Sequence, residues 1–161
     1  MSEQYQAGYK LRDLKKHIET VVGHRIAKRL NAEMGAITLS LESKDMGHGM
    51  NIMSQLYQAE FYFERFPFNE YDPAVLFANI GAWLMDNDQS REDSDYLGDP
   101  EIDVTLEDEN SAEIIITIDF EEPIKVVEDP NGPILWRGKT WKIEEYRITE
   151  VTKAEVNIRR A

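Results

Sequence analysis

The sequence contains no cysteine. Disulfides, thiolate zinc centres and cysteine nucleophiles are therefore excluded, and the chain is compatible with a reducing compartment. No apolar run approaches the roughly 18 to 20 residues of a membrane span, and Met1 to Lys10 lacks the apolar stretch of a signal peptide. A cytosolic protein with no membrane partner is expected. Histidine is scarce: His17, His24 and His48 are the only imidazoles, and no two have the i, i+4 spacing of a helical metal pair. Phosphate-binding loops, dinucleotide fingerprints and serine nucleophile elbows are absent; Gly47-His48-Gly49 lacks the third glycine and the following helix.

Acid is what the sequence has in excess. Thirty-one Asp and Glu against eighteen Lys and Arg give a net charge of −13 over 161 residues, a length that suits a single domain with a real core. The charge is unevenly placed. Residues 1–34 carry seven basic and four acidic side chains, 35–85 two and six, 86–129 two and seventeen, and 130–161 seven and four. An acidic middle is thus flanked by two basic ends, Lys10 to Arg29 and Arg137 to Arg160. Specific nucleic-acid binding is not expected, because attraction to phosphate needs clustered cations.

Hydropathy patterning predicts an α+β fold in one domain spanning 1–161. Leu11, Leu14, Ile18 and Val21 form one stripe of an amphipathic helix over 9–22 that Gly23 can end. His24 to Ala32 offers a further short helical stretch with Ile26, Ala27 and Leu30 inward. Ile37, Leu39 and Leu41 alternate with polar neighbours as a half-buried strand, 43–55 reads as a loop, and a strand runs from Tyr57 with Ala59, Phe61 and Phe63 inward. Asp72-Pro73 supplies a helix cap and first-turn proline. The helix that follows, to about residue 86, is apolar on so broad a surface that burial on more than one side is expected. Beyond a polar loop, Ile102, Val104 and Leu106 and then Ala112, Ile114, Ile116, Ile118 and Phe120 alternate with polar residues, a hairpin with an acidic tip.

A second hairpin is signalled by Gly138-Lys139, read as a two-residue turn in which Arg137 faces Thr140 and Trp136 faces Trp141. Residues 1–8 are expected to be disordered, and 149–161 to add a weak final strand within Ile148 to Ile158. Two main helices on a largely antiparallel or mixed sheet follow from this order.

No residue set stands out as a reaction centre. His17 lies on the polar face of the first helix, where a solvated side chain is the ordinary outcome. Asp86 to Asp95 resembles a calcium loop in its acid content, but its sixth position is Arg91 where glycine is required and its twelfth is Leu97 where glutamate is required. Nothing picks a catalytic pair out of thirty-one carboxylates. No catalytic residue, metal ligand or cofactor is therefore assigned. Trp136 and Trp141 either complete the core or anchor a protein interface.

The run Tyr57-Gln58-Ala59-Glu60-Phe61-Tyr62-Phe63-Glu64-Arg65-Phe66, the helix ending Ala82-Trp83-Leu84-Met85-Asp86-Asn87, the strand Ile102-Asp103-Val104 and the run Ala112-Glu113-Ile114-Ile115-Ile116-Thr117-Ile118 with Glu121-Glu122-Pro123 resemble the tail completion protein R family of contractile-tailed bacteriophages. The resemblance covers about residues 10–148. It implies a non-enzymatic, terminator-like subunit that caps the tail tube and helps form the surface meeting the head. Its implied partners are further copies of itself, as a ring of six, together with tail-tube and head-completion proteins. The implied location is the cytoplasm of the bacterial host during assembly, then the virion tail.

On that footing, basic ends and acidic middle could meet at each subunit contact, and Glu107, Asp108 and Glu109 at the hairpin tip are candidate lumen or interface acids that would repel passing DNA. Two other readings remain: an acidic DNA-mimic inhibitor, and another tail or head-tail connector protein.

Overall fold

The computed structural model describes residues 4–45 and 49–144. His48 and the expected strand at Ile148 to Ile158 lie outside these. The helices are α1 (Tyr9–Val22), α2 (His24–Ala27) and α3 (Pro73–Asn87), with a 3-10 turn at Gln89–Asp93. The strands are β1 (Leu30–Ser40), β2 (Lys44–Asp45), β3 (Met50–Phe66), β4 (Glu101–Leu106), β5 (Ala112–Glu128), β6 (Ile134–Trp136) and β7 (Lys139–Ile143). They pair in the order β1-β3-β5-β7-β6, with β2 on β3 and β4 on β5. The class is α+β with a mostly antiparallel sheet, as the patterning predicts. Among the described residues, no helix is long and apolar enough to cross a membrane.

The chain forms two compact units, one taking the residues up to Gly35 and Gln58–Phe120, the other Ala36–Tyr57 and the residues from Glu121 on. In the first unit, α1 buries Leu11, Leu14, Ile18 and Val22 and ends at Gly23, whose N–H bonds to the Glu19 carbonyl. Asp72 caps α3 by accepting from the Ala74 N–H at 2.9 Å, and Pro73 takes the first turn. α1 and α3 pack against each other. Their buried faces meet a core supplied by Ala59, Phe61 and Phe63 of β3 and Ala112, Ile114, Ile116, Ile118 and Phe120 of β5, all at most 1 % exposed. Period-two alternation explains Tyr57 to Phe63 of β3 and Ala112 to Phe120 of β5. Of the residues before α1, Gln4, Tyr5 and Gln6 are tied to β1 through bonds with Asn31, Ala32 and Met34.

Several boundaries differ from expectation. The short helix α2 stops at Ala27, and β1 already begins at Leu30, because Leu30, Ala32 and Met34 form a buried row with exposed Asn31 and Glu33 between them. The row ends at Ala36, which adopts a left-handed φ of 51°. In the second unit, Ile37 and Leu39 consequently stay exposed, and so does Leu41 beyond the end of the strand, whereas a half-buried strand is expected there. The segment expected as a loop at 43–55 contains β2 and the start of β3, with Lys44 opposite Asn51 and Asp45 opposite Met50. β5 runs on past Phe120 to Glu128, and Pro123 falls between the stretch paired to β4 and the stretch paired to β7.

The helix α3 also differs. Leu76, Ile80, Trp83 and Leu84 are buried, but Val75, Ala78, Ala82 and Met85 point outward and stay exposed, Met85 by 66 %. Only one side of its apolar surface is used by the fold.

Candidate assembly surfaces

The register between β4 and β5 sorts their paired side chains onto the two faces of the first unit's sheet. Ile102, Val104 and Leu106 lie opposite Ile116, Ile114 and Ala112, and so continue the helix-covered row. They are nevertheless exposed, Leu106 by 72 %. A half-buried strand is expected at this point; β4 instead has all six residues exposed, because its apolar row extends beyond what the core covers. On the other face, Glu101, Asp103 and Thr105 stand opposite Thr117, Ile115 and Glu113. Tyr62 of β3 shares that face, since its hydroxyl donates to the Glu113 carboxylate at 3.1 Å.

This outer face is acidic. Glu60 and Glu64 flank Tyr62 at alternate positions of β3, and Asp119 continues the β5 row. Arg65 is the one cation in the stretches 58–66, 101–106 and 112–120. Partial burial first, and then the bonded Glu113 carboxylate and the charges of Glu64 and Glu107, push the Tyr62 pKa up to about 12.

On the helix layer of the same unit, α1 carries the opposite sign, while α3 exposes one acid, Asp86. Arg12 and Lys16 are exposed on α1 and Lys15 is half-buried, while its acids Asp13 and Glu19 are both half-buried. A shallow open groove nearby is lined by Lys16, Glu19, Thr20, Gly23, His24 and Ala27. His17 is partly buried, which lowers its pKa below the usual imidazole value.

Lys10 belongs to the basic amino-terminal stretch but is withdrawn from the surface. Its Nζ lies 2.6 Å from Asp88 Oδ1, and Arg91 Nε lies 3.2 Å from Asp88 Oδ2. Arg91 then reaches the carbonyls of Gly98 and Asp119 and sits over the Phe120 ring. The acid-rich segment after α3 is thus fastened to α1 and β5 by a buried charge cluster centred on Asp88, the third position of the calcium-like stretch. Nothing in the local sequence announces this pairing of residues far apart in the chain.

The acidic tip is an ordered turn. Glu107 accepts from the Arg65 N–H at 2.7 Å, and Asp108 Oδ1 accepts from the N–H groups of Asn110 and Ser111 at 2.7 and 2.8 Å. The bonds from Asn110 and Ser111 hold the Asp108 carboxyl below the usual carboxylate range. Among the described residues, Glu109 has no hydrogen-bond partner for its side chain. Of the three tip acids, two shape the turn. Asp108→Ala is expected to lower the melting temperature at neutral pH. Because the folded-state pKa is depressed, this stabilisation is present above the unfolded value of about 4 and lost as pH falls through the folded one. Thermal melts of wild type and variant should therefore converge in acid.

In the second unit the hairpin register is corrected. Ile134 pairs with Trp141, Leu135 with Thr140 and Trp136 with Lys139, so the turn residues are Arg137 and Gly138. Both have left-handed φ, 51° and 72°. That is the pair of positive angles a type I′ turn demands, and it shifts the turn one residue back from the expected Gly138-Lys139. Trp136 and Trp141 are then diagonal rather than facing. They still meet on one side, with centroids 5.4 Å apart and planes tilted by 59°, and Trp141 Nε1 donates to the Trp136 carbonyl at 2.8 Å.

The two indoles have different roles. Trp141 is buried with Ile52 and Val126 in the unit's core, against which Met50, Met53, Ile124, Ile134 and Trp136 pack. Trp136 is half-buried, with the Arg137 guanidinium 4.3 Å above its ring. The same unit buries Glu122, whose carboxylate accepts from the Tyr57 hydroxyl and, at 3.2 Å, from the Gln55 amide. The sequence shows Glu122 only as a polar residue on an otherwise apolar row.

The chain is 33% identical over 114 residues to an uncharacterized 19.2 kDa protein in the rep-hol intergenic region of Haemophilus phage HP1 (strain HP1c1), an alignment covering 70% of this chain and 67% of that one. No solved structure matches. The family model for the P2 phage tail completion protein R (GpR) matches residues 8–145, both compact units included, and the chain belongs to that family.

Proposed function

We propose that this chain is a non-enzymatic structural subunit that completes the phage tail by capping the tail tube, stopping its growth and helping to form the surface that meets the head. The observation that carries this reading is the family match over residues 8–145. The subunit works as a single domain, a reading supported by β1, β3 and β5 each contributing residues to both compact units. Six copies close into a ring, assembled in the cytoplasm of the bacterial host and carried in the virion tail. Heterologous contacts of this kind close rings.

The acidic turn at Glu107 to Glu109 faces the DNA path, with Glu109 as the acid free to repel phosphate. Trp136, half-exposed beneath Arg137, is the better-placed interface anchor of the two tryptophans. Acids carried on one sheet face and a turn favour assembly over DNA mimicry. Deleting the gene is expected to abolish infectious particles, and supplying the chain in trans to restore them. Unchanged titres from the deletion would reject the proposal.

A further inference from the structure

The first unit has two broad surfaces of opposite character, the helix layer and the outer face of the sheet. On the helix layer, Val75, Ala78, Ala82 and Met85 form an exposed apolar stripe along α3 that ends at the exposed Asp86, and α1, packed beside it, exposes Arg12 and Lys16. On the sheet, Glu60, Glu64 and Asp103 surround Tyr62 and the half-buried Ile115. Each surface thus pairs apolar area with charge of a single prevailing sign. We infer that the occupant of each is the other, on a second copy: the α1–α3 layer of one chain docks on the outer face of the β3–β5–β4 sheet of the next.

Charge decides between the possible self-contacts. Sheet against sheet would bring Glu60, Glu64 and Asp103 up to their own copies, and helix layer against helix layer would do the same for Arg12, Lys15 and Lys16, so symmetric pairing is repelled through either face. Only the head-to-tail arrangement brings unlike charges together. It also covers Met85 and Val75, which the fold leaves in water. Because donor and acceptor surfaces differ, every open string of copies keeps one of each unused at its ends, and assembly continues until it closes. The inference rests on the homo-oligomeric reading above and specifies the contact that reading leaves open.

Two variants test it. Arg12→Glu/Lys15→Glu/Lys16→Glu makes both surfaces acidic, and Glu60→Lys/Glu64→Lys/Asp103→Lys makes both basic; none of these side chains is buried in the core, and circular dichroism verifies that each variant folds. Size-exclusion chromatography with light scattering at low ionic strength should show wild-type oligomers that dissociate as salt rises. Each variant alone should be monomeric, its self-association weakened roughly tenfold or more. An equimolar mixture should regain the oligomer, because the acidic helix layer of one variant then meets the basic sheet of the other and the unreversed pair of surfaces meets in turn. Oligomers formed equally well by each variant alone would overturn this contact and leave the homo-oligomer standing. A wild-type chain that stays monomeric, alone or bound to a tail protein, would overturn both. A mixture of folded variants that stays monomeric would overturn the contact.

Discussion

Replacing Asp88 with asparagine is expected to cost about 3–5 kcal/mol of folding stability. The carboxylate is fully buried and lies within 2.6 Å of Lys10 Nζ and 3.2 Å of Arg91 Nε. Asparagine keeps the shape but removes the charge, leaving two cations close together with their partner gone. Removing one member of a buried ion pair costs far more than the pair contributes, because the remaining charge has lost its solvent and gained nothing. Lys10→Met should cost less, since Asp88 keeps Arg91 and Arg91 keeps the Gly98 and Asp119 carbonyls and the Phe120 ring. The double variant Lys10→Met/Asp88→Asn should be more stable than Asp88→Asn alone. Urea unfolding followed by tryptophan fluorescence measures all three. An Asp88→Asn variant within about 0.5 kcal/mol of wild type, the range of ordinary surface changes, would show that the cluster is solvated and does not hold the acid-rich segment.

Trp141→Ala should produce a loss of similar size, about 3–5 kcal/mol, through a different mechanism. The indole is the largest side chain in the core of the second unit, and its removal opens a cavity between Ile52 and Val126. The backbone around it has little freedom to close that space. Gly132 approaches so tightly that a Cβ there would sit 2.2 Å from the Trp141 carbonyl oxygen. The substitution also strips the Trp136 carbonyl of its Nε1 donor. Trp141→Phe should recover most of the loss, and Trp136→Ala should cost clearly less than Trp141→Ala because that ring is half in water. Denaturant midpoints read the order. If Trp136→Ala proved the more damaging, the assignment of Trp141 to the core and Trp136 to the surface would be reversed.

These two sites mark where the sequence is a good guide and where it is not. Features made by neighbours in the chain were legible: Asp72 and Pro73 start α3, Gly23 ends α1, and the alternating rows of β3 and β5 are the core of the first unit. Non-local pairing was not. Nothing near Lys10 or Asp88 in the sequence predicts the other, and Glu122 hides among strand residues although Tyr57 and Gln55 satisfy it. Exposure was misjudged where a strand or helix presents more apolar surface than the fold covers, at Ile37 and Leu39, on all of β4 and along the outer stripe of α3.

Turn chemistry failed by a single residue. Gly138 suits the first position of one turn type and the second of another, and only the left-handed Arg137 before it decides between them. For the candidate surfaces, the sequence located the negative charge between residues 86 and 129 but could not divide it into a buried anchor at Asp88, a structured turn at Asp108 and an open acidic sheet face. The open face follows from the register of β4 on β5, and the anchor from the contacts of Asp88 with Lys10 and Arg91.

The central claim is that this chain completes the tail. Electron microscopy of particles assembled without it measures this most directly, by tube length and by attachment to heads. Tails lacking the chain should have tubes of uncontrolled length and no joined heads, and adding the purified protein should restore both. Tubes of normal, fixed length that still join heads would contradict the account.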